Sequence, residues 1–439
     1  MKELLRYFIV IQLILFTSCS SSNEIEEVIN SNPDLAEEEN SKPNILLIIA
    51  DDMGLDVTSG YNIGHQTPIM PTIESMISNG VKFTNVWSNP TCTPTRATLL
   101  TGKYGFRTNV LEVDDELSTS ETSIQKYINQ NLDDEYSNAV IGKWHLSKDS
   151  NHPSQMGIDY YAGSLAGSLR DYNKWSLTIN GETSISTEYN TTKYTDLAIN
   201  WIQDQTKPWF LWLAYTAPHE PFHLPPTDLH SVGDLPTDAA SIETNPIPYY
   251  FAMIEAMDTE IGRLLNSMAS EEKENTVIIF IGDNGTPNQV TEAYNSKRVK
   301  GSLYQGGINV PMIVSGRNVM RINETENALI NTTDLFATIA NVAGVNIDKI
   351  NDSNSFYKLL SNSTTQTREY AYAEDEFNVT IRNNTHKYML FSDGSEALYN
   401  LENDNLETIN LLNKNRLPLS DYDAEIKTLL IEKLAEITH

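Results

Sequence analysis

The sequence predicts an α/β fold: a large, mostly parallel sheet sandwiched by helices, then a smaller C-terminal subdomain of antiparallel strands plus a helix. Three observations predict it. Apolar runs that are continuous rather than alternating recur from Asn44 onward, and a strand apolar on both sides is one covered on both sides. Helical patterns lie between these runs, so right-handed crossovers join parallel strands. After about residue 345 the texture changes to short strand-like runs split by Asn, Asp, Gly and Ser.

In chain order, Lys2 and Arg6 precede a mostly apolar Tyr7 to Phe16, too short to span a bilayer comfortably. Phe16-Thr17-Ser18-Cys19 resembles a bacterial lipobox. Residues 1–18 are therefore expected to be a lipoprotein signal peptide, and Cys19 the lipidated start of an exported chain, anchored in the periplasm or at the outer-membrane surface. Residues 19–41 read as an acidic flexible tether. The main domain, 42–345, opens with the strand Asn44 to Ala50, ended by Asp51-Asp52. Pro71 to Asn79 reads as a helix stopped by Gly80. Thr98 to Gly102 is helix-like, with Pro94 in its first turn and Gly102 at its stop.

Ala139 to Ile141 leads into Gly142-Lys143-Trp144-His145, and Trp209 to Tyr215 into Ala217-Pro218-His219. Between them, Tyr194 to Ile202 is amphipathic. Phe251 to Met268 carries apolar residues at helical spacing. Thr276 to Ile281 is the strand before Gly282-Asp283-Asn284-Gly285, and Val310 to Val314 is another. Thr333 or Asp334 caps a helix over Leu335 to Val342. In the subdomain, 346–439, Arg368 to Ala373, Asn378 to Arg382, Lys387 to Ser392 and Ala397 to Leu401 read as an antiparallel meander. A helix from about Asp423 closes the chain.

Composition narrows the function. Across 439 residues, 30 Lys+Arg face 59 Asp+Glu, a formal net charge of −29. That excess argues against nucleic acid, whose phosphates are held by surplus cations. An anionic substrate must be attracted by local cations against this field. Two cysteines exclude a disulfide scaffold and a Cys-rich zinc module. No apolar run long enough for several membrane spans follows the N-terminus.

The chemistry gathers at strand ends, where open α/β sheets bind ligands. Asp51, Asp52, Asp283 and Asn284 offer only oxygen ligands, a set suited to Ca²⁺ or Mg²⁺ rather than zinc. Cys92 is expected at a helix N-terminus, where partial positive charge activates a nucleophile, with Arg96 one turn on. His223 is a possible substrate contact; His65 and His152 read as loop residues.

Cys92-Thr93-Pro94-Thr95-Arg96 resembles the C-x-P-x-R signature of the formylglycine-dependent sulfatases, of the alkaline phosphatase-like superfamily. Gly142 to His145 is similar to that family's second signature. The Asp51-Asp52, Ala217-Pro218-His219 and Asp283-Asn284-Gly285 blocks, and Lys300 to Gly307, follow in the family's order. Thr95 and Gln305 depart from the usual Ser and Glu. The resemblance implies a sulfuric ester hydrolase whose Cys92 is oxidised by a separate maturation enzyme to formylglycine (3-oxoalanine). Its hydrated form would attack sulfur with one hydroxyl and expel sulfate with the other.

By the same resemblance, Asp51, Asp52, Asp283, Asn284 and the residue-92 group hold the metal. Arg96 and His145 steady the nucleophile, and Lys143 and Lys300 clamp sulfate. His219 protonates the leaving group, with Lys300 assisting. A sulfated polysaccharide or oligosaccharide is the expected substrate, with specificity in loops 57–70, 150–190 and 220–245. Two alternatives are a phosphonate or phosphodiester hydrolase of the same superfamily and an unmatured, noncatalytic glycan-binding lipoprotein.

Overall fold

The five apolar runs of the main domain become strands of one ten-stranded sheet in this computed structural model, which describes residues 42–364 and 367–438. The expected signal peptide, Cys19 and the tether lie outside the described residues. In chain order the strands are β1 (Asn44–Ala50), β2 (Gly80–Phe83), β3 (Ser137–Gly142), β4 (Tyr160–Gly163) and β5 (Trp175–Ile179). Then come β6 (Glu182–Ser186), β7 (Trp209–Ala214), β8 (Thr276–Gly282), β9 (Met312–Gly316) and β10 (Glu324–Glu326). Their spatial order is β10-β2-β9-β8-β1-β7-β3-β4-β5-β6.

The centre is parallel: β1 pairs with β7 and β8, and β3 with β7 and β4. β9 departs from that expectation and runs antiparallel to β8, with Met312 opposite Ile281. Its continuous apolar run reports burial on both faces, which a strand of either direction can have. Residues 150–190, expected as loops, supply β4 and the antiparallel edge hairpin β5–β6.

Alternation along β1 divides the core. Leu46 and Ile48 face one layer, packed by α1 (Pro71–Ser78), whereas Ile45, Leu47 and Ile49 face the other, packed by α2 (Cys92–Thr101) and α3 (Ile124–Asn131). The first layer also holds α4 (Asn190–Gln203) and the long α5 (Ile247–Ser267); the second holds α6 (Asp334–Ala343). Phe356, Leu359 and Leu360 pack into this second layer too, so its core reaches past residue 345.

The meander forms as β11 (Ala371–Glu374), β12 (Val379–Arg382), β13 (His386–Leu390) and β14 (Glu396–Asn400), antiparallel throughout. One face buries Tyr372, Ile381 and Leu398 with Leu430 and Leu434 of α7 (Asp421–Thr438). The other packs Ala373, Met389 and Tyr399 with Trp87, Leu303 and Ile308. Among the described residues no helix is long and apolar enough to cross a membrane.

Candidate active site

The C-terminal ends of β1, β3, β7 and β8 bring the loaded motifs together. Asp283 N–H donates to the Ala50 carbonyl at 3.0 Å, and Asp52 N–H to Asp283 Oδ1 at 3.1 Å, so the β1 and β8 ends interlock. Asp52 adopts φ +68°, which turns consecutive carboxylates into one cleft, and Tyr250 OH donates to its carbonyl at 2.6 Å. At the end of β3, Gly142 has φ +113°, and a Cβ there would lie 1.9 Å from the Ala214 carbonyl oxygen. Only glycine permits that bend. Past it Lys143 runs inward, fully buried, with Nζ 2.5 Å from Asp51 Oδ2.

Cys92 opens α2, with Thr91 as its N-cap and Gly102 (φ +66°) as its stop, as the motif predicts. It is the one free cysteine among the described residues. Burial, with the carboxylates of Asp51, Asp283 and Asp52, pushes its pKa up, and Lys143 opposes only in part. The helix terminus is legible in the sequence; the carboxylates that the fold sets beside it are not.

Arg96, also fully buried, turns to the carboxylates: Nη2 donates to Asp283 Oδ2 at 2.8 Å and lies 3.9 Å from Asp51 Oδ1. Nη1 donates to the Lys143 carbonyl at 2.9 Å. His145, at φ +54°, sets Nδ1 3.2 Å from Cys92 Sγ. Its Nε2 lies 2.9 Å from Asp114 Oδ1. An ionised carboxylate only accepts, so Nε2 carries the proton and the Nδ1 lone pair faces Cys92. Burial, then the Lys143 charge, lowers the ring to about 3, so it is neutral at pH 7.

Asp114 is a residue that sequence reasoning missed, because Asp114-Asp115-Glu116 reads as a solvated acidic loop. Asp114→Asn should lower kcat on the order of tenfold by freeing the ring to turn. Stability should change little, since the carboxylate is half exposed. Steady-state kinetics beside thermal unfolding check this; unchanged kcat would remove Asp114 from the site.

On the opposite wall, Lys300 Nζ stands 2.5 Å and His219 Nε2 3.7 Å from Asp52 Oδ2. His219 Nδ1–H donates to the Glu220 carbonyl at 2.8 Å. Burial opposes ionisation of Asp52, but His219, Lys300 and Lys143 outweigh it and hold the carboxyl well below its usual range. Burial lowers His219, and Asp52 pulls the other way.

His223 rests against Tyr172, centroids 4.3 Å apart, with Nε2 3.1 Å from Tyr189 OH. His152 is buried between Trp144 Nε1 and the Leu117 carbonyl, not in an open loop. His65 is exposed. The two departures from the signature lie outside the reacting groups. Thr95 Oγ1 donates to the Thr91 carbonyl at 3.0 Å, and Gln305 Oε1 accepts from Trp87 Nε1 at 2.9 Å.

The donor set fits a hard divalent cation. Asp51 Oδ1 and Asn284 Oδ1 are buried acceptors with no hydrogen-bond partner among the described residues. Asn284 spends its Nδ2 on Asp52 Oδ1 at 2.8 Å, which leaves Oδ1 for a ligand. Ligand atoms of Asp51, Cys92 and Asp283 lie within 4.8 Å of one another, as do those of Asp51, Asp52 and His219. Burial and the neighbouring Asp51 push Asp283 up to about 7, the signature of carboxylates short of positive charge.

The Sulfatase family model matches residues 43–345. An uncharacterised sulfatase of Escherichia coli K12, YdeN, is 26% identical over 86% of this chain and 80% of its own. An ulvan-active sulfatase of Formosa agariphila is 25% identical, covering 97% of this chain and 86% of that protein. The solved structure of Ps i-CgsB in complex with a neocarrahexaose superposes with a TM-score of 0.73 at 26% identity, covering 89% of this chain and 93% of that one.

Proposed function

The chain belongs to the sulfatase family of sulfuric ester hydrolases, and from that premise we propose that it removes sulfate from a sulfated polysaccharide or oligosaccharide. The observation that carries this reading is the convergence of Cys92, the oxygen ligands and the paired lysines on one sheet edge. The relatives' names support the substrate class: one acts on ulvan and another was solved with a carrageenan oligosaccharide.

Three carboxylates face Arg96, Lys143 and Lys300 in the cleft, so these cations are already engaged by carboxylates. A divalent cation (Ca²⁺, or Mg²⁺) held by Asp51, Asp52, Asp283, Asn284 and residue 92 would supply surplus positive charge and lower a bound nucleophile's pKa. Conversion of Cys92 to formylglycine by a maturation enzyme would supply a hydrated aldehyde in place of a protonated, weakly nucleophilic thiol.

The chain's own groups then divide the work. Lys143 and Lys300 hold sulfate oxygens as point charges. Neutral His145 accepts a proton at residue 92 through Nδ1, and Asp114 keeps the ring in that tautomer. His219, its Nδ1 fixed on Glu220, presents Nε2 to the leaving oxygen. The negative charge of an arriving sulfate offsets the burial that lowers this ring, which favours the protonated form needed to release the alcohol. Export and lipid attachment at Cys19 are part of the proposal, and an intact mass of the mature N-terminus reads them directly.

Matured enzyme should release sulfate from members of a panel of defined sulfated oligosaccharides, and phosphate from matched phosphate esters far less efficiently. Better phosphate release would favour the phosphodiesterase alternative. A chelator should reduce desulfation, and added Ca²⁺ or Mg²⁺ should restore it. Indifference to both would rule out the ion.

A further inference from the structure

Lys387 of β13 and Glu407, in the loop after β14, form an ion pair at 2.7 Å with side chains 0% and 1% exposed. A buried ion pair is weak evidence for stability, because desolvation offsets its attraction. Burial indeed lowers Lys387 to about 8 despite the Glu407 charge. Glu407 also adopts φ +58°, an unfavourable backbone for a residue with a Cβ.

The other side-chain bonds of the pair, and an Arg298 bond to the Glu407 carbonyl, converge on one stretch of chain. Lys387 Nζ donates to the Leu303 carbonyl at 2.5 Å, and Gln305 N–H donates to Glu407 Oε2 at 2.5 Å. Arg298 Nη1 donates to the Glu407 carbonyl, and its guanidinium lies over Tyr304 at 4.5 Å. Residues 298 to 305 are thus clasped near both ends by the C-terminal subdomain. Between the clasps sits Lys300, held locally by two backbone bonds: its N–H to Thr286 O at 3.2 Å, and Gly301 N–H to Pro90 O at 2.8 Å. Lys300 is 23% exposed, a long side chain that needs a fixed base to keep Nζ on Asp52.

We propose that the Lys387–Glu407 pair is a positioning device for Lys300, through which the C-terminal subdomain sets the sulfate-binding wall of the cleft. Its effect on turnover rests on the role given to Lys300 above. The side chains act through the segment and touch no reacting atom.

The test is a double-mutant cycle in matured, full-length enzyme. Lys387→Met/Glu407→Gln removes both charges together, so no lone charge stays buried, and the amide oxygen introduced at position 407 can still accept from Gln305 N–H. The pair should lower kcat/KM for a sulfate ester about tenfold or more with Lys300 present, and less than about twofold further in a Lys300→Ala background. Equal losses in both backgrounds would overturn the proposal, since a merely structural role is additive.

A crystal structure of the Lys387→Met/Glu407→Gln protein gives a readout independent of activity. Lys300 Nζ should move away from Asp52, and an unmoved Nζ would overturn the proposal. Wild-type activity in Lys300→Ala alone would instead remove the role assigned to Lys300, and the crystal structure would then decide the positioning. If the charge-free pair does not fold, Lys387→Gln/Glu407→Gln, which likewise leaves no lone charge buried, enters the same cycle.

Discussion

Cys92→Ala and Cys92→Ser should each lower sulfate ester turnover by about 10⁴-fold or more while the protein stays folded, because each removes the reacting group from an otherwise complete site. The thiol is 2% exposed, and its hydrogen-bonded contact is His145 Nδ1 at 3.2 Å, so little packing is lost. The serine variant separates two possibilities. With a neutral imidazole at hand, its hydroxyl can attack sulfur once, but it has no second hydroxyl with which to expel sulfate. A sulfated serine at position 92, seen as added mass after incubation with substrate, is therefore expected without turnover. Near-native turnover in either variant would show that residue 92 is not the nucleophile. Mass spectrometry of wild-type protein from its native host bears on the same point: a plain thiol there would count against formylglycine.

The sequence showed the centre of the fold and most of the site for one physical reason. Strands covered on both faces must be continuously apolar, so the first polar residues after them mark the edge where ligands bind. Asp51-Asp52, Lys143, His219 and Asp283-Asn284 all stand in such positions. What was illegible depends on pairing across long separations. The direction of β9 is set by its neighbours β8 and β2, and its own apolar run is silent on it. Asp114 is recognisable only once His145 lies beside it. Lys387 and Glu407 read as an ordinary lysine on a strand and an acid in a turn, until folding buries both against Leu303 and Gln305. The raised pKa of Cys92 comes first from burial and then from carboxylates contributed by other strand ends, neither of which is local in sequence.

Arg96→Met, measured on chelator-treated protein so that no cation substitutes, should lower the unfolding free energy by about 3–5 kcal/mol, because it leaves buried carboxylates without their partner. Arg96 is 0% exposed and bridges three strand ends: Asp283 after β8, Asp51 after β1, and the Lys143 carbonyl after β3. Lys143 Nζ alone then remains against Asp51, and Asp283, already pushed up to about 7, protonates further rather than stay charged. Activity should fall with it, since the ligands lose their spacing. Arg96→Lys keeps the charge but cannot reach both Asp283 and the Lys143 carbonyl, so its loss should be smaller. The mechanism is decided by Arg96→Met/Asp283→Asn. If an uncompensated carboxylate causes the damage, neutralising Asp283 should recover part of the stability, a coupling of about 1 kcal/mol or more in denaturant unfolding. Additive losses would mean that Arg96 acts by filling space, and that the balance of charge beneath residue 92 does not hold the strand ends together.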